Sequence, residues 1–184
     1  MKKGVLVPVI LILVFLIGGT VFAHFMNVSE EGHLGVVPNP QSNKSEMISL
    51  YFTNRESDKI ILEKRHAKVG EEIEKRIVEE LIKGPDSEEL FPTFPKGTEV
   101  YGVEVIEGVA FVNFKESILN LHWGGTSGEM VTLSSLVLSL TVLDHVDSVQ
   151  ILIEGERVET LAGHYSIMQP LKREEMLNYL QSND

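Results

Sequence analysis

From Val5 to Phe25 the chain carries no charged residue, and its centre reads Val9-Ile10-Leu11-Ile12-Leu13-Val14-Phe15-Leu16-Ile17. A helix of ~20 such residues matches the hydrocarbon thickness of a bilayer, so this run is set apart from any water-soluble core. Lys2 and Lys3 precede it, and Glu30 and Glu31 follow. Cytoplasmic flanks are enriched in Lys and Arg, which orients the segment with Met1 inside and the rest outside. The expectation is an N-terminal transmembrane helix over residues 1-25, single-pass, with the remainder extracytoplasmic. Val21-Phe22-Ala23 also offers small residues to a signal peptidase, and cleavage after Ala23 would release a secreted protein. Of 184 residues, about 140 to 160 are then left for one folded domain.

Residues 26-45 are dense in Gly, Pro, Ser and Asn without periodicity, the composition of a flexible linker. The chain has no cysteine, which removes thiolate chemistry, thiolate metal sites and lipid attachment through a cysteine. A domain of this size buries enough surface to fold without disulfides or a metal. The net charge is −11, and −13 once Lys2 and Lys3 are set aside. A phosphate-tracking groove needs clustered Lys and Arg, so nucleic acid is not an expected partner.

The folded part begins at Met47. Ile48, Leu50 and Phe52 alternate with Ser49, Tyr51 and Thr53, a half-buried strand. A turn at 54–58 leads to a second, basic strand over Lys59–Val69, in which Arg65, His66 and Lys68 are expected to face water. Ile73, Ile77, Val78, Leu81 and Ile82 then recur at helical spacing, with charged residues on the other side. Gly84-Pro85 ends that helix, glycine as a left-handed cap and proline just beyond. After Pro92, Pro95 and Gly97, Val100, Val103 and Val105 run through Glu107-Gly108 into 110–114, a β-hairpin with a two-residue turn. Residues 115–128 read as loop, and 129–143 as a helix with Met130, Leu133, Leu136, Val137 and Leu140 along one stripe. A strand over 147–153 is closed by Glu154-Gly155. Residues 172–181 form a short surface helix. The order β-β-α-β-β-α-β predicts an α+β domain, a mixed β-sheet with helices packed on one face.

The six histidines include no pair at the spacing of a helical metal site, so neither metal nor cofactor is expected. Asp144-His145 with Asp147 lies where a helix hands over to a strand and reads as a turn. Ser134 and Ser135 lack the Gly-x-Ser-x-Gly elbow of a serine nucleophile and read as helix-packing residues. Glu107 and Glu129 could be drawn as a glycosidase-like pair, but nothing in their spacing brings them together. The loop from Leu121 to Gly128 is the most unusual stretch, with the single tryptophan beside a histidine and three glycines. His122 and Trp123 are candidates for a binding loop, since Trp joins a large apolar face to one donor. Equally, Trp123 could cap the core below it.

One ordered series is more specific than any of these. Leu81-Ile82-Lys83-Gly84-Pro85 is followed by Leu90, Pro92 and Pro95-Lys96-Gly97-Thr98, then by Val103 and Val105, then by Gly108-Val109-Ala110-Phe111-Val112-Asn113-Phe114. With the later helix, the strand ending at Gly155 and Pro170-Leu171-Lys172-Arg173, this resembles the GerMN domain family of sporulation and spore germination proteins. The likeness covers residues 46-173, leaving 174-184 as a C-terminal tail helix. On the resemblance, Gly84, Pro85, Pro95, Gly97, Thr98, Val112, Asn113, Phe114 and Gly155 are structural signature positions. Asn113 stands where the family usually carries an acidic residue. The chain also departs from the family's cysteine-anchored, two-domain members in having one copy and no cysteine.

The resemblance implies a fold related to ring-building motifs and a non-catalytic, extracytoplasmic assembly module, not an enzyme. Its partners would be envelope or sporulation-complex proteins, with self-association, and its membrane contact would run through residues 5-25. The alternative is a binding module for a cell-wall saccharide or peptide, resting on His122 and Trp123. An envelope hydrolase would need two carboxylates, or a histidine and a nucleophile, brought together by the fold.

Overall fold

The structure, a computed structural model, describes residues 45–57, 59–68 and 72–182. The apolar run and the linker up to residue 44 lie outside the described residues. Strands β1 (Ser45–Thr53) and β2 (Ile60–Lys68) form an antiparallel hairpin. Its tip is closed by Asn54, whose side-chain oxygen accepts the Lys59 N–H while its own N–H donates to the Lys59 carbonyl. As the alternation predicts, Ile48, Leu50 and Phe52 are buried. On β2, His66 and Lys68 face water, but Arg65 does not: it shares the inward face with Ala67 and is 8% exposed. The expectation that Arg65 is solvated is corrected by the carboxylates that α1 and its cap bring to it.

Helix α1 (Ile73–Lys83) buries Ile77, Val78 and Leu81. Gly84 ends it at φ 94°, a conformation that costs a glycine little, and donates its N–H to the Leu81 carbonyl. The irregular connection closes in a turn from Pro95 to Thr98, with Gly97 at φ 92° in its third position and the Thr98 N–H on the Pro95 carbonyl.

Strands β3 (Val100–Ile106) and β4 (Val109–Phe114) make the expected second hairpin. Glu107 at φ 49° and Gly108 at φ 79° sit in the left-handed region, as a two-residue turn between right-twisted strands requires. A bulge at Tyr101 interrupts the ladder between Val100 and Gly102. A short helix, α2 (Ser117–Leu121), occupies part of the stretch read as loop. Helix α3 (Thr126–Leu140) begins and ends three residues earlier than its hydrophobic pattern suggests. Strand β5 (Ser148–Ile153) then lies parallel to β4, with the two-residue β6 (Leu171–Lys172) antiparallel beyond it.

Every residue of α3 from Glu129 to Leu140 is buried, so the helix has no solvent face. It packs on β1, β5, α1 and α4 (Arg173–Ser182). The single stripe inferred from sequence is therefore too narrow, because Val131 and Leu138 are also in the interior. Burial of each such aliphatic side chain contributes roughly 1.5–3 kcal/mol. The C-terminal helix is more than a surface appendage, since Met176 is fully enclosed.

The α+β class is as the element order implies, but the strands divide into two sheets, β1-β2 and β3-β4-β5-β6. Helix α3 is the reason. On the edge of β1 away from β2, Ser139 Oγ accepts the Tyr51 N–H at 3.0 Å and Ser135 donates to the Tyr51 carbonyl at 2.6 Å. Phe91 donates its N–H to the next edge carbonyl, Thr53, at 2.8 Å. Side chains of a helix and one loop residue thus satisfy groups that another strand would have taken.

Candidate functional site

The polar residues capable of chemistry are drawn into the frame. Glu129, in the first turn of α3, is 0% exposed. Its Oε1 accepts the N–H groups of Leu161 and Ala162, both at 2.8 Å, and its Oε2 those of His164 at 2.9 Å and Tyr165 at 3.2 Å. The His164 ring also approaches Oε2 at 3.4 Å. A carboxylate with four backbone donors organises the 161–165 loop as a helix N-terminus would hold an anion. Glu107 instead occupies the exposed β3–β4 turn, so the two carboxylates do not form a pair.

Ser134 and Ser135 are both fully buried. Ser134 faces the Met176 sulfur, and Ser135 lies 2.7 Å from Thr93 Oγ1 besides bonding Tyr51. His145 reaches Glu74 on α1 at 2.6 Å, while Asp147 donates its N–H to the Gly108 carbonyl at 2.7 Å, so the Asp144-His145-Asp147 run is divided between two structural ties. Among the described residues, no three His, Asp or Glu side chains gather as a metal site.

Arg65, missed from sequence, is the densest ionic node. Its Nη1 bonds Glu80 at 2.6 Å, and its Nη2 bonds Glu63 and the buried Gly84 carbonyl. Its Nε lies 3.0 Å from Asp86 Oδ2 but out of line for a directed hydrogen bond, which makes that contact ionic. Burial is the largest single influence and raises Glu63 and Glu80, but it is outweighed by Arg65 acting together with the Ser87 and Asp86 N–H groups at Glu63 and with Lys83 at Glu80, and both carboxyls titrate below the ordinary 4.5. Glu63 also caps the chain after α1 through the N–H groups of Asp86 and Ser87. The signature pair Gly84-Pro85 thus ends the helix and delivers a carbonyl to Arg65.

Other signature positions meet as well. Asn113 Oδ1 accepts the Gly155 N–H at 2.8 Å, which ties β4 to the turn closing β5. Thr98 Oγ1 donates to the Pro95 carbonyl at 2.8 Å, and Val112 and Phe114 lie wholly in the core.

The His122–Trp123 loop keeps its aromatic at the surface. The Gly124 N–H donates to His122 Nδ1 at 3.1 Å, which places the ring proton on Nε2, facing Thr132 Oγ1 at 3.1 Å. Burial lowers the His122 pKa, against a smaller opposing pull from Glu129. Trp123 is 52% exposed and lies over Gly128, where an added Cβ would stand 2.6 Å from the ring. The sheet offers a second exposed zone: β3 is an edge strand, with Tyr101 and Ile106 each 49% exposed.

The family model described as Germane, sporulation and spore germination, matches residues 49–159. Among solved structures, the chain is similar to the tandem GerMN domains of the sporulation protein GerM from Bacillus subtilis, with a TM-score of 0.61 and 18% identity. That match covers 72% of this chain and 48% of the other, so the chain spans about half of the tandem protein's solved length. The first GerMN domain alone gives a TM-score of 0.59 at 19% identity, over 70% of this chain and 98% of the other. A Clostridium perfringens protein assigned as a lipoprotein gives 0.51 at 21% identity, over 73% and 91%. At these identities the likenesses establish the fold. No curated protein matches the chain.

Proposed function

Since the chain belongs to the Germane family of sporulation and spore germination, we propose that it is a non-catalytic, extracytoplasmic, membrane-anchored module acting through protein–protein contacts in a sporulation or germination assembly. The observation that carries this reading is the β3 edge, where Tyr101 and Ile106 stand half exposed on the edge strand of the four-stranded sheet. Open edges and exposed large apolar side chains are where partners add to a fold. The engagement of Glu129 and Ser135 in holding loops and strands supports the absence of catalysis. A ring-building-motif-like use of the fold, with neighbouring domains meeting edge to edge, fits the same surface.

Membrane attachment through residues 5-25, with Met1 in the cytoplasm, rests on the apolar run and its basic flank. Among the described residues no helix is long and apolar enough to cross a membrane. Cleavage after Ala23 would make the domain secreted. The similar Clostridium perfringens protein assigned as a lipoprotein supports an envelope setting.

The test is affinity capture of the full-length protein from membranes of growing and sporulating cells, read by mass spectrometry, with Ile106→Asp alongside. Sporulation-complex proteins are expected from sporulating cells only, and lost with Ile106→Asp at unchanged melting temperature. Recovery of wall fragments instead, insensitive to Ile106→Asp and abolished by Trp123→Ala, would favour the second reading. That reading, a saccharide or peptide binder, rests on the half-exposed Trp123 ring.

A further inference from the structure

The β1–β2 hairpin turns two unlike faces outward and inward. Inward lie Ile48, Leu50 and Phe52, with Arg65 held by its carboxylates. The opposite face is built from the cross-strand pairs Ser45–Lys68, Met47–His66 and Ser49–Lys64. Period-two alternation keeps both acidic and basic neighbours apart here: Glu63 and Arg65 point in, Lys64, His66 and Lys68 point out. In a chain with 27 acidic against 16 basic residues, this face carries no carboxylate. Among the described residues neither Lys64 nor Lys68 is ion-paired. Two large apolar side chains are exposed on the face, Met47 at 55% and Leu62 at 43%.

Cations interleaved with apolar side chains form the surface that suits an anionic lipid headgroup layer. The ammonium groups meet phosphates, and the apolar side chains enter the boundary between headgroup and acyl chain. Chain order selects that occupant over others. Strand β1 starts at Ser45, where the Gly-, Pro-, Ser- and Asn-rich stretch that follows the apolar run ends. A chain of that composition and length reaches roughly 25 Å on average, so on the anchored reading this hairpin is the element held near the bilayer. Tethering then raises the effective lipid concentration and makes a weak contact sufficient.

We propose that the outer face of the β1–β2 hairpin, through Lys64, Lys68, Met47 and Leu62, docks on an anionic phospholipid surface. The inference rests on the membrane-anchored reading above. Each lysine adds to the attraction toward an anionic surface, and the attraction falls off with salt.

Because the chain lacks cysteine, Ser49→Cys supplies a unique labelling point on this face, and Asn178→Cys one on the exposed side of α4. The full-length protein is placed with vesicles of pure phosphatidylcholine, or with about a third phosphatidylglycerol to supply the anionic charge. Flotation is read together with quenching of the label by aqueous acrylamide. The expected result is flotation with both vesicles and loss of quenching at position 49, but not 178, only on anionic vesicles. Lys64→Glu with Lys68→Glu, or high salt, restores the quenching, at unchanged melting temperature because both side chains are exposed.

Flotation with both vesicles and a label that stays quenchable overturns docking and leaves the anchor standing. Flotation with anionic vesicles only, lost in the double lysine variant, upholds docking and removes the anchor. Flotation with neither removes both. An acidic protein lost from the capture experiment by the lysine substitutions, with no lipid shielding, would reassign the face to that partner.

Discussion

The Tyr51 carbonyl accepts the Ser135 hydroxyl at 2.6 Å, across 84 positions of sequence. With Ser139 on the Tyr51 N–H, one turn of a buried helix serves both backbone groups of one strand residue. Ser135→Ala and Ser139→Ala each leave a buried backbone group without a partner, a loss of about 1–3 kcal/mol. Urea unfolding should show each midpoint falling at constant slope, with near-additive loss in the double variant. Unchanged midpoints would mean water replaces the hydroxyls.

Arg65 joins three carboxylates and a carbonyl from inside the fold. Arg65→Met removes the charge and leaves Glu63 and Glu80 facing each other in a partly buried site, costing about 3–5 kcal/mol. Adding Glu80→Gln should recover a measurable part of that loss. Arg65→Lys should stay destabilised, since an ammonium cannot span Glu80, Glu63 and Gly84 together. In the acid range the sign is fixed by the lowered carboxyls: their contribution is complete above the ordinary 4.5 and lost as pH falls through their folded values.

Glu129 offers a sharper substitution. Both oxygens accept backbone N–H groups from 161–165. Glu129→Gln therefore sets an amide NH2 against two N–H donors whichever way it turns, and should cost nearly as much as Glu129→Ala, about 3 kcal/mol. Hydrogen exchange would locate the damage, with protection lost over 161–165 before the rest of the domain. Full protection in Glu129→Gln would overturn the assignment.

The hairpin turns, the α1 stop at Gly84-Pro85 and the inward faces of β1 and β4 were legible because local chemistry decides them. Glu107-Gly108 must turn left-handed, and Ile48, Leu50 and Phe52 leave one face to bury. Arg65 was not legible. On β2 the two alternating sets, Glu63, Arg65 and Ala67 against Lys64, His66 and Lys68, are nearly equal in polarity, and the carboxylates that decide between them sit at 80 and 86. Likewise Ser135 and Ser139 read as ordinary helix serines, so nothing local announced that α3 replaces a strand and splits the sheet. The uncharged run from Met130 to Leu143 was the available signal that α3 is enclosed on all sides. Of the binding-loop candidates, His122 is fixed by local bonds, while Trp123 keeps an open face.

Neutral His122 is required by the N–H that Gly124 gives to Nδ1, and burial lowers its pKa from 6.5. A histidine lowered in the folded state binds its proton more readily when unfolded. Its contribution is complete above about 6.5 and declines as pH falls from there toward the folded value, then levels off. His122→Asn should remove this slope from a series of urea midpoints between the two values, and an unaltered slope would assign the pH dependence to another group.

Trp123 can be separated into core cap or contact residue through Gly128. As the single tryptophan, it reports its own surroundings by fluorescence. Gly128→Ala places a Cβ 2.6 Å from Trp123 Cδ1 and 2.8 Å from Nε1, so the ring must lift, while the helix gains roughly 1 kcal/mol of propensity. Emission should shift to the red with the melting temperature held or raised. Trp123→Ala should cost under about 1 kcal/mol, the range of a surface residue away from special contacts. If it instead costs about 3 kcal/mol or more, the size of an aromatic core truncation, the ring belongs to the core and the saccharide or peptide reading loses its support.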